Sequence, residues 1–153
     1  MGIEVRGLVP LLQVFRMPVA IRFYRDILGF EITAKSESMS DDPDDVNWVM
    51  LQMNDAVVML NTAYDPDNTP AIPDAARWSG HQDTGLFIGC PDVDAAYRFL
   101  RDKGVECDAP KVAWYGMKQL SITDPDGYGI TFQWQARPEE IPSRSAKPGV
   151  QVG

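Results

Sequence analysis

The chain repeats itself, and that repeat limits what it can fold into more than any other feature. Met17-Pro18-Val19-Ala20 through Leu28-Gly29-Phe30-Glu31 aligns with Asp92-Val93-Asp94-Ala95 through Lys103-Gly104-Val105-Glu106. The alignment places Ala20 on Ala95, Gly29 on Gly104 and Glu31 on Glu106 at one constant offset. The turns Asn54-Asp55 and Asp126-Gly127 coincide at nearly the same offset. A repeat this long is a supersecondary unit rather than a solenoid period, so the chain is expected to build one small module twice.

Each copy predicts strand, helix, strand, strand, strand. In the first, Leu8 to Phe15 alternates as a strand, and Pro18 stands where an opening helical turn tolerates proline. Ala20, Phe23, Tyr24, Ile27 and Leu28 recur at helical spacing, and Gly29 ends the helix. Phe30 to Ala34 begins the second strand; Trp48 to Gln52 and Ala56 to Asn61 are the third and fourth, around Asn54-Asp55. Between them the acidic stretch Ser36 to Asp45 reads as a mobile solvated loop.

The second copy runs from the strand Leu86 to Cys90 into a helix capped by Asp92, with Ala95, Ala96, Phe99 and Leu100 as its buried stripe. Gly104 closes that helix and Val105 to Cys107 starts the next strand. Gln119 to Trp134 is a hairpin about Asp124-Pro125-Asp126-Gly127, where proline presets one turn position and Asp-Gly supplies positive φ. Leu120 and Ile122 oppose Gln119, Ser121 and Thr123; Ile130, Phe132 and Trp134 oppose Gly129, Thr131 and Gln133. One face of the hairpin suits a core and the other a polar-lined hollow. Residues 1–153 are expected to form a single domain. Its first module covers about 8–62 and its second about 84–135. Residues 63–83 are a proline-marked connector with a helical turn near Asp74 to Arg77, and 136–153 a polar tail.

Composition removes several functions. A net charge of −8 opposes nucleic-acid binding, which needs a basic face to displace counterions. No apolar run approaches the roughly 18 residues of a membrane span, and no leader resembles a secretion signal, so a cytoplasmic protein is expected. Cys90 and Cys107 lack a paired or metal-type spacing and read as free thiols. A single histidine, His81, cannot supply a two-histidine iron site within one chain, and its place beside Gly80 suggests exposure. No nucleophile stands at a recognisable spacing from a base.

Three segments, Arg22-Phe23-Tyr24-Arg25-Asp26-Ile27-Leu28-Gly29-Phe30, Tyr115-Gly116-Met117 and Asp124-Pro125-Asp126-Gly127-Tyr128, resemble the vicinal oxygen chelate superfamily. That superfamily includes glyoxalase I, bleomycin-resistance proteins, fosfomycin-modifying enzymes and extradiol dioxygenases. The resemblance runs from about Leu8 to Trp134. It implies an α+β fold of two tandem βαβββ modules whose curled mixed sheets surround a cavity, and a homodimer. Its enzymes hold a divalent metal at four strand positions, which here fall on Val9, Met59, Leu86 and Thr131. Three of these side chains are unsuited as ligands because they are apolar or a weak thioether, and the fourth is a neutral hydroxyl. No metal or other cofactor is therefore expected.

The face shared by those positions collects Val9, Leu11, Gln13, Met50, Val57, Met59, Asn61, Leu86, Ile88, Gln119, Ser121, Thr131 and Gln133, with Trp48, Trp114 and Tyr115 at its rim. Apolar walls with a few amides fit a drug-sized organic molecule. The expected ligand contacts are Gln13, Trp48, Met50, Met59, Asn61, Trp114, Tyr115, Gln119, Ser121 and Gln133. Three functions remain open. One is a metal-independent binding protein like the bleomycin-resistance branch, sequestering a drug-like or heteroaromatic compound. Another is a glyoxalase-like lyase or isomerase with an unconventional or inter-subunit site. The third is a regulatory or immunity module.

Overall fold

The structure is a computed structural model and describes residues 2–143. The described residues form two compact units, 2–81 with Asp124–Gly127, and 82–123 with 128–143. Most of the tail, residues 144–153, lies outside the described residues. The architecture is α+β, with two four-stranded mixed sheets and few helices.

In the first unit β1 (Leu11–Val14) runs parallel to β4 (Ala56–Thr62), and β3 (Trp48–Met53) pairs antiparallel with β4 and with β2 (Glu31–Lys35), giving the order β1-β4-β3-β2. Helix α1 (Met17–Ile21) follows β1 with proline in its first turn, then widens into a π-helical segment over Arg22–Ile27. The wider turn shows as Leu28 N–H donating to Phe23 O at 3.0 Å. Strand alternation sends Leu12, Val14, Val49, Leu51, Val58 and Leu60 to one face, all buried, with Met17, Ala20, Ile21, Phe23 and Tyr24 of the helical segment also in the core. Gly29 ends the helix with φ 97°, and Phe30 N–H closes back on Tyr24 O at 2.9 Å.

The second unit repeats the plan as β5 (Gly85–Gly89), α3 (Val93–Asp102), β6 (Lys111–Val112), β7 (Met117–Thr123) and β8 (Gly129–Gln135), in the order β5-β8-β7-β6. Asp92 caps α3 by accepting from Ala95 N–H at 2.9 Å, and Gly104, at φ 81°, stops it. Helix α3 packs on β7 and β8, and Val93, Leu100, Leu120, Ile122, Ile130 and Phe132 are buried.

Several expectations need correction. The first strand starts at Leu11, so Leu8 and Val9 precede it and are exposed. Val105 to Cys107 is not a strand; the edge strand is the short Lys111–Val112 instead. Of the expected stripe of α3 only Leu100 is fully buried, together with Val93; Ala95 and Ala96 are half-buried, and Phe99 is 46% exposed with Lys103 Nζ 5.6 Å from its ring centre. The connector's single helical turn is a full helix α2 (Ala75–His81). The acidic segment 36–45 is tied down. Arg25 makes two bonds of 2.8 and 2.9 Å to the Asp44 carboxylate, Lys35 Nζ donates to Pro43 O at 2.7 Å, and Ser38 bridges to Val46. The guanidinium's hydrogen bonds to Asp26 and Asp44 push its pKa still higher.

Candidate functional site

The open face of the first sheet is set by register. Gln13 lies across from Asn61 and Asn61 across from Trp48, so these three form one row over β1, β4 and β3. Leu11, Met59, Met50 and Ala34 form the adjoining row. Asn61 Nδ2 donates to Gln13 Oε1 at 3.5 Å. The fully buried neighbours of these residues lie on the helix side, so Gln13, Trp48, Met50, Met59 and Asn61 are left half-buried on the other, and Leu11 and Ala34 exposed. Five expected contacts, Gln13, Trp48, Met50, Met59 and Asn61, thus share one wall.

The second sheet gathers the other five, Trp114, Tyr115, Gln119, Ser121 and Gln133. Gln119 pairs with Gln133 and Ser121 with Thr131 across β7 and β8. Gln119 Nε2 donates to Gln133 Oε1 and to the Tyr115 hydroxyl, each at 3.0 Å, and the Ser121 and Thr131 hydroxyls are 3.0 Å apart. Trp114 and Tyr115, both more than half exposed, meet edge to face at 5.5 Å in the turn before β7, which Gly116 allows at φ 89°. A flat amide-and-hydroxyl surface beside two exposed rings can hydrogen-bond and stack on a planar ligand.

One face assignment is reversed. Leu86 lies across from Ile130 and Ile88 across from Phe132, both buried partners, so these two point to the core side. Phe87, across from Thr131 and 63% exposed, occupies the open face, adding an aromatic surface that the sequence reading missed. Both end positions of β5 are glycine, so only the apolar triplet Leu86-Phe87-Ile88 could have signalled it, and it has no polar residue to fix its phase.

The four positions matched to metal ligands do not fit a metal. Val9 precedes β1, Leu86 faces the core, Met59 lies across from Leu11 and Met50, and Thr131 lies across from Phe87 and Ser121, none of which is an imidazole or a carboxylate. Among the described residues no three His, Cys, Asp or Glu side chains are grouped as a metal site requires. Both cysteines are free, and burial pushes each thiol pKa up, away from the thiolate.

His81 is not exposed as expected. It is half-buried, its ring stacked on Phe15 at 5.7 Å, and its Nδ1 is 2.6 Å from Asp126 O. Around it the turn Asp124–Gly127 carries two carboxylates only 3% exposed. Tyr24 donates to Asp124 Oδ2 at 2.7 Å, and Phe15 N–H to Asp126 Oδ1 at 2.7 Å. Burial pushes the Asp126 carboxyl up to about 7; the Phe15 bond opposes this and the Asp124 charge adds to it. The cluster anchors the turn and touches no open face described above.

A family model described as the Glyoxalase/Bleomycin resistance protein/Dioxygenase superfamily matches residues 8–132. The chain belongs to this superfamily. Solved structures share its fold at low identity. A glyoxalase/bleomycin resistance protein/dioxygenase from Nocardioides is 16% identical, with a TM-score of 0.66 over 99% of this chain and 93% of that one. A bleomycin-binding protein complexed with bleomycin is 18% identical, with a TM-score of 0.59 over 86% and 99%. TnmS3, an antibiotic-binding protein from Streptomyces sp. CB03234, is 22% identical, with a TM-score of 0.63 over 88% and 100%. No curated protein matches the sequence. Within the glyoxalase/bleomycin-resistance fold of this chain, no described helix is long and apolar enough to cross a membrane.

Proposed function

We propose that this superfamily member binds a small heteroaromatic or drug-like organic molecule on its open sheet faces, without coordinating it through a metal. The hydrogen-bonded surface of Tyr115, Gln119 and Gln133 beside Trp114 and Phe87 carries the reading. Its amides are already oriented by each other and its rings are solvent-exposed, so a planar ligand gains stacking area with little ordering cost. Gln13, Trp48, Met50, Met59 and Asn61 give the open face of the first sheet amide, indole and thioether groups of its own, and Ser121 gives that of the second a hydroxyl. The poor donor set at the family's metal positions supports recognition without coordination. So does the company of relatives whose structures are those of bleomycin-binding and antibiotic-binding proteins. A cytoplasmic homodimer is part of the same reading.

Thermal unfolding tests it, in the presence of bleomycin and a panel of planar cationic and neutral heteroaromatics, each with and without EDTA. The expected result is a raised midpoint with at least one compound, unchanged by chelator and accompanied by quenching of tryptophan fluorescence. A panel without effect, or stabilisation that EDTA abolishes, would end the reading.

A further inference from the structure

The first unit holds a cleft of about 530 Å3 whose wall contains none of the ten residues expected to bind ligand. That volume falls inside the roughly 300–1,000 Å3 range of small-molecule sites. Phe15, Met17 and Tyr64 are in its lining, where Phe15 and Tyr64 stack at 6.3 Å. The acidic segment contributes Met39, Asp42 and Asp45, Arg22 adds a cation from the helical segment, and Arg16 adds a second that donates to Pro70 O and Ala71 O.

This wall is built rather than incidental. Arg25 holds Asp44 with both terminal nitrogens, Met39 N–H donates to Asp45 O at 2.8 Å, and the Ser38 hydroxyl donates to Asp42 O at 2.5 Å. These bonds fix the backbone that presents Asp42 and Asp45. They leave the Asp45 carboxylate without a hydrogen-bond partner among the described residues. Arg22 uses only Nε, on Pro18 O at 3.2 Å, and its terminal nitrogens likewise meet no partner among the described residues.

A ligand of one sign would be attracted by the lining charges of opposite sign and repelled by the others. A neutral apolar ligand would strip water from both charges and return nothing. A molecule carrying both signs on an apolar body satisfies all three surfaces. We propose that this cleft is a second binding site, for a zwitterionic molecule with an apolar or aromatic body, of the class of a free amino acid or dipeptide. The site is independent of the open-face function proposed above.

The test uses the full chain, followed by 15N–1H NMR. The ligands are phenylalanine and phenylalanyl-phenylalanine, each compared with its N-acetyl and C-terminal amide forms. At least one zwitterion should shift the amides of Met17, Met39 and Tyr64 saturably, with either blocked form at least tenfold weaker. Arg22→Ala and Asp45→Asn should each weaken the zwitterion by tenfold or more, while spectra outside the cleft report an intact fold. Arg22→Lys, which keeps the charge, should recover part of the loss. The proposal falls if neither zwitterion shifts those amides, if the blocked forms bind equally well, or if both variants keep full affinity.

Discussion

Replacing Gly127 by alanine should damage the first unit more than the same change at Gly29, and the structure says by how much. Both glycines sit in the left-handed region, Gly127 at φ 91° and Gly29 at φ 97°. A Cβ in that region costs about 1–2 kcal/mol. At Gly29 the methyl meets only Met53 Sδ at 3.8 Å, an ordinary contact. At Gly127 it would fall well inside van der Waals contact distance of the Trp78 carbonyl oxygen and 3.1 Å from two further Trp78 atoms, one of them backbone. Trp78 cannot simply step aside, because its N–H is the hydrogen-bonded first turn of α2, donating to Asp74 O at 3.0 Å. Overpacking of this kind adds about 1–3 kcal/mol. Gly29→Ala should therefore cost about 1–2 kcal/mol and Gly127→Ala about 2–5 kcal/mol. Urea unfolding measures both, since the two residues belong to the same unit, and amide exchange in α2 should quicken only in Gly127→Ala. Equal losses, or an undisturbed α2, would refute the packing argument and leave φ alone as the cause.

Removing the cap of α3 with Asp92→Ala deletes the bond to Ala95 N–H and should lower stability by about 1 kcal/mol, read from the urea midpoint. The Asp126 carboxyl, raised from 3.8 to about 7, stays protonated in the folded chain over a range where the unfolded chain has released its proton. Its contribution is therefore fully present below pH 3.8 and is lost as pH rises through about 7. Asp126→Asn should flatten that decline in a series of urea midpoints across the window, and an unchanged slope would contradict it. If the open face of the second sheet binds a planar compound, Gln119→Ala should weaken it about tenfold by removing an oriented amide, with the melting midpoint of the free protein nearly unchanged. Calorimetric titration of any compound that passes the thermal panel checks it. Arg25→Ala removes both bonds to Asp44 and should speed amide exchange at Met39 and Val46, whose neighbours they hold.

Much of the fold was readable because local signals and tertiary needs agreed. Gly29 and Gly104 end their helices at positive φ because each follows a helical stripe that must turn back toward a sheet. The hairpin β7–β8 forms with Gln119 opposite Gln133 because Leu120, Ile122, Ile130 and Phe132 had to share the other face. The same alternation brought five expected contacts together on the first sheet and Gln119, Ser121 and Gln133 on the second, while Trp114 and Tyr115 lie in the turn before β7. Where it was lacking, as in Leu86-Phe87-Ile88 between glycines, every residue was equally fit for a core. The parity of the strand was then decided by pairing with β8.

The turn Asp124–Gly127 marks a different kind of limit. Asp-Pro-Asp-Gly signals a reversal, and on propensity alone its carboxylates belong in water. Here they are buried because partners from distant parts of the chain come to meet them: the Tyr24 hydroxyl, the Phe15 N–H and, at the Asp126 carbonyl, His81. No spacing rule links residues 15, 24, 81 and 126, so the lone histidine read as an exposed connector residue although its ring is packed on Phe15. Phe15 also reaches the cleft beside Tyr64, so one ring joins the buried anchor to the wall of the proposed zwitterion site. Loosening the turn should therefore reach that cleft through Phe15. Gly127→Ala is expected to weaken zwitterion binding there, whereas Gly29→Ala, which leaves the turn intact, is expected to spare it.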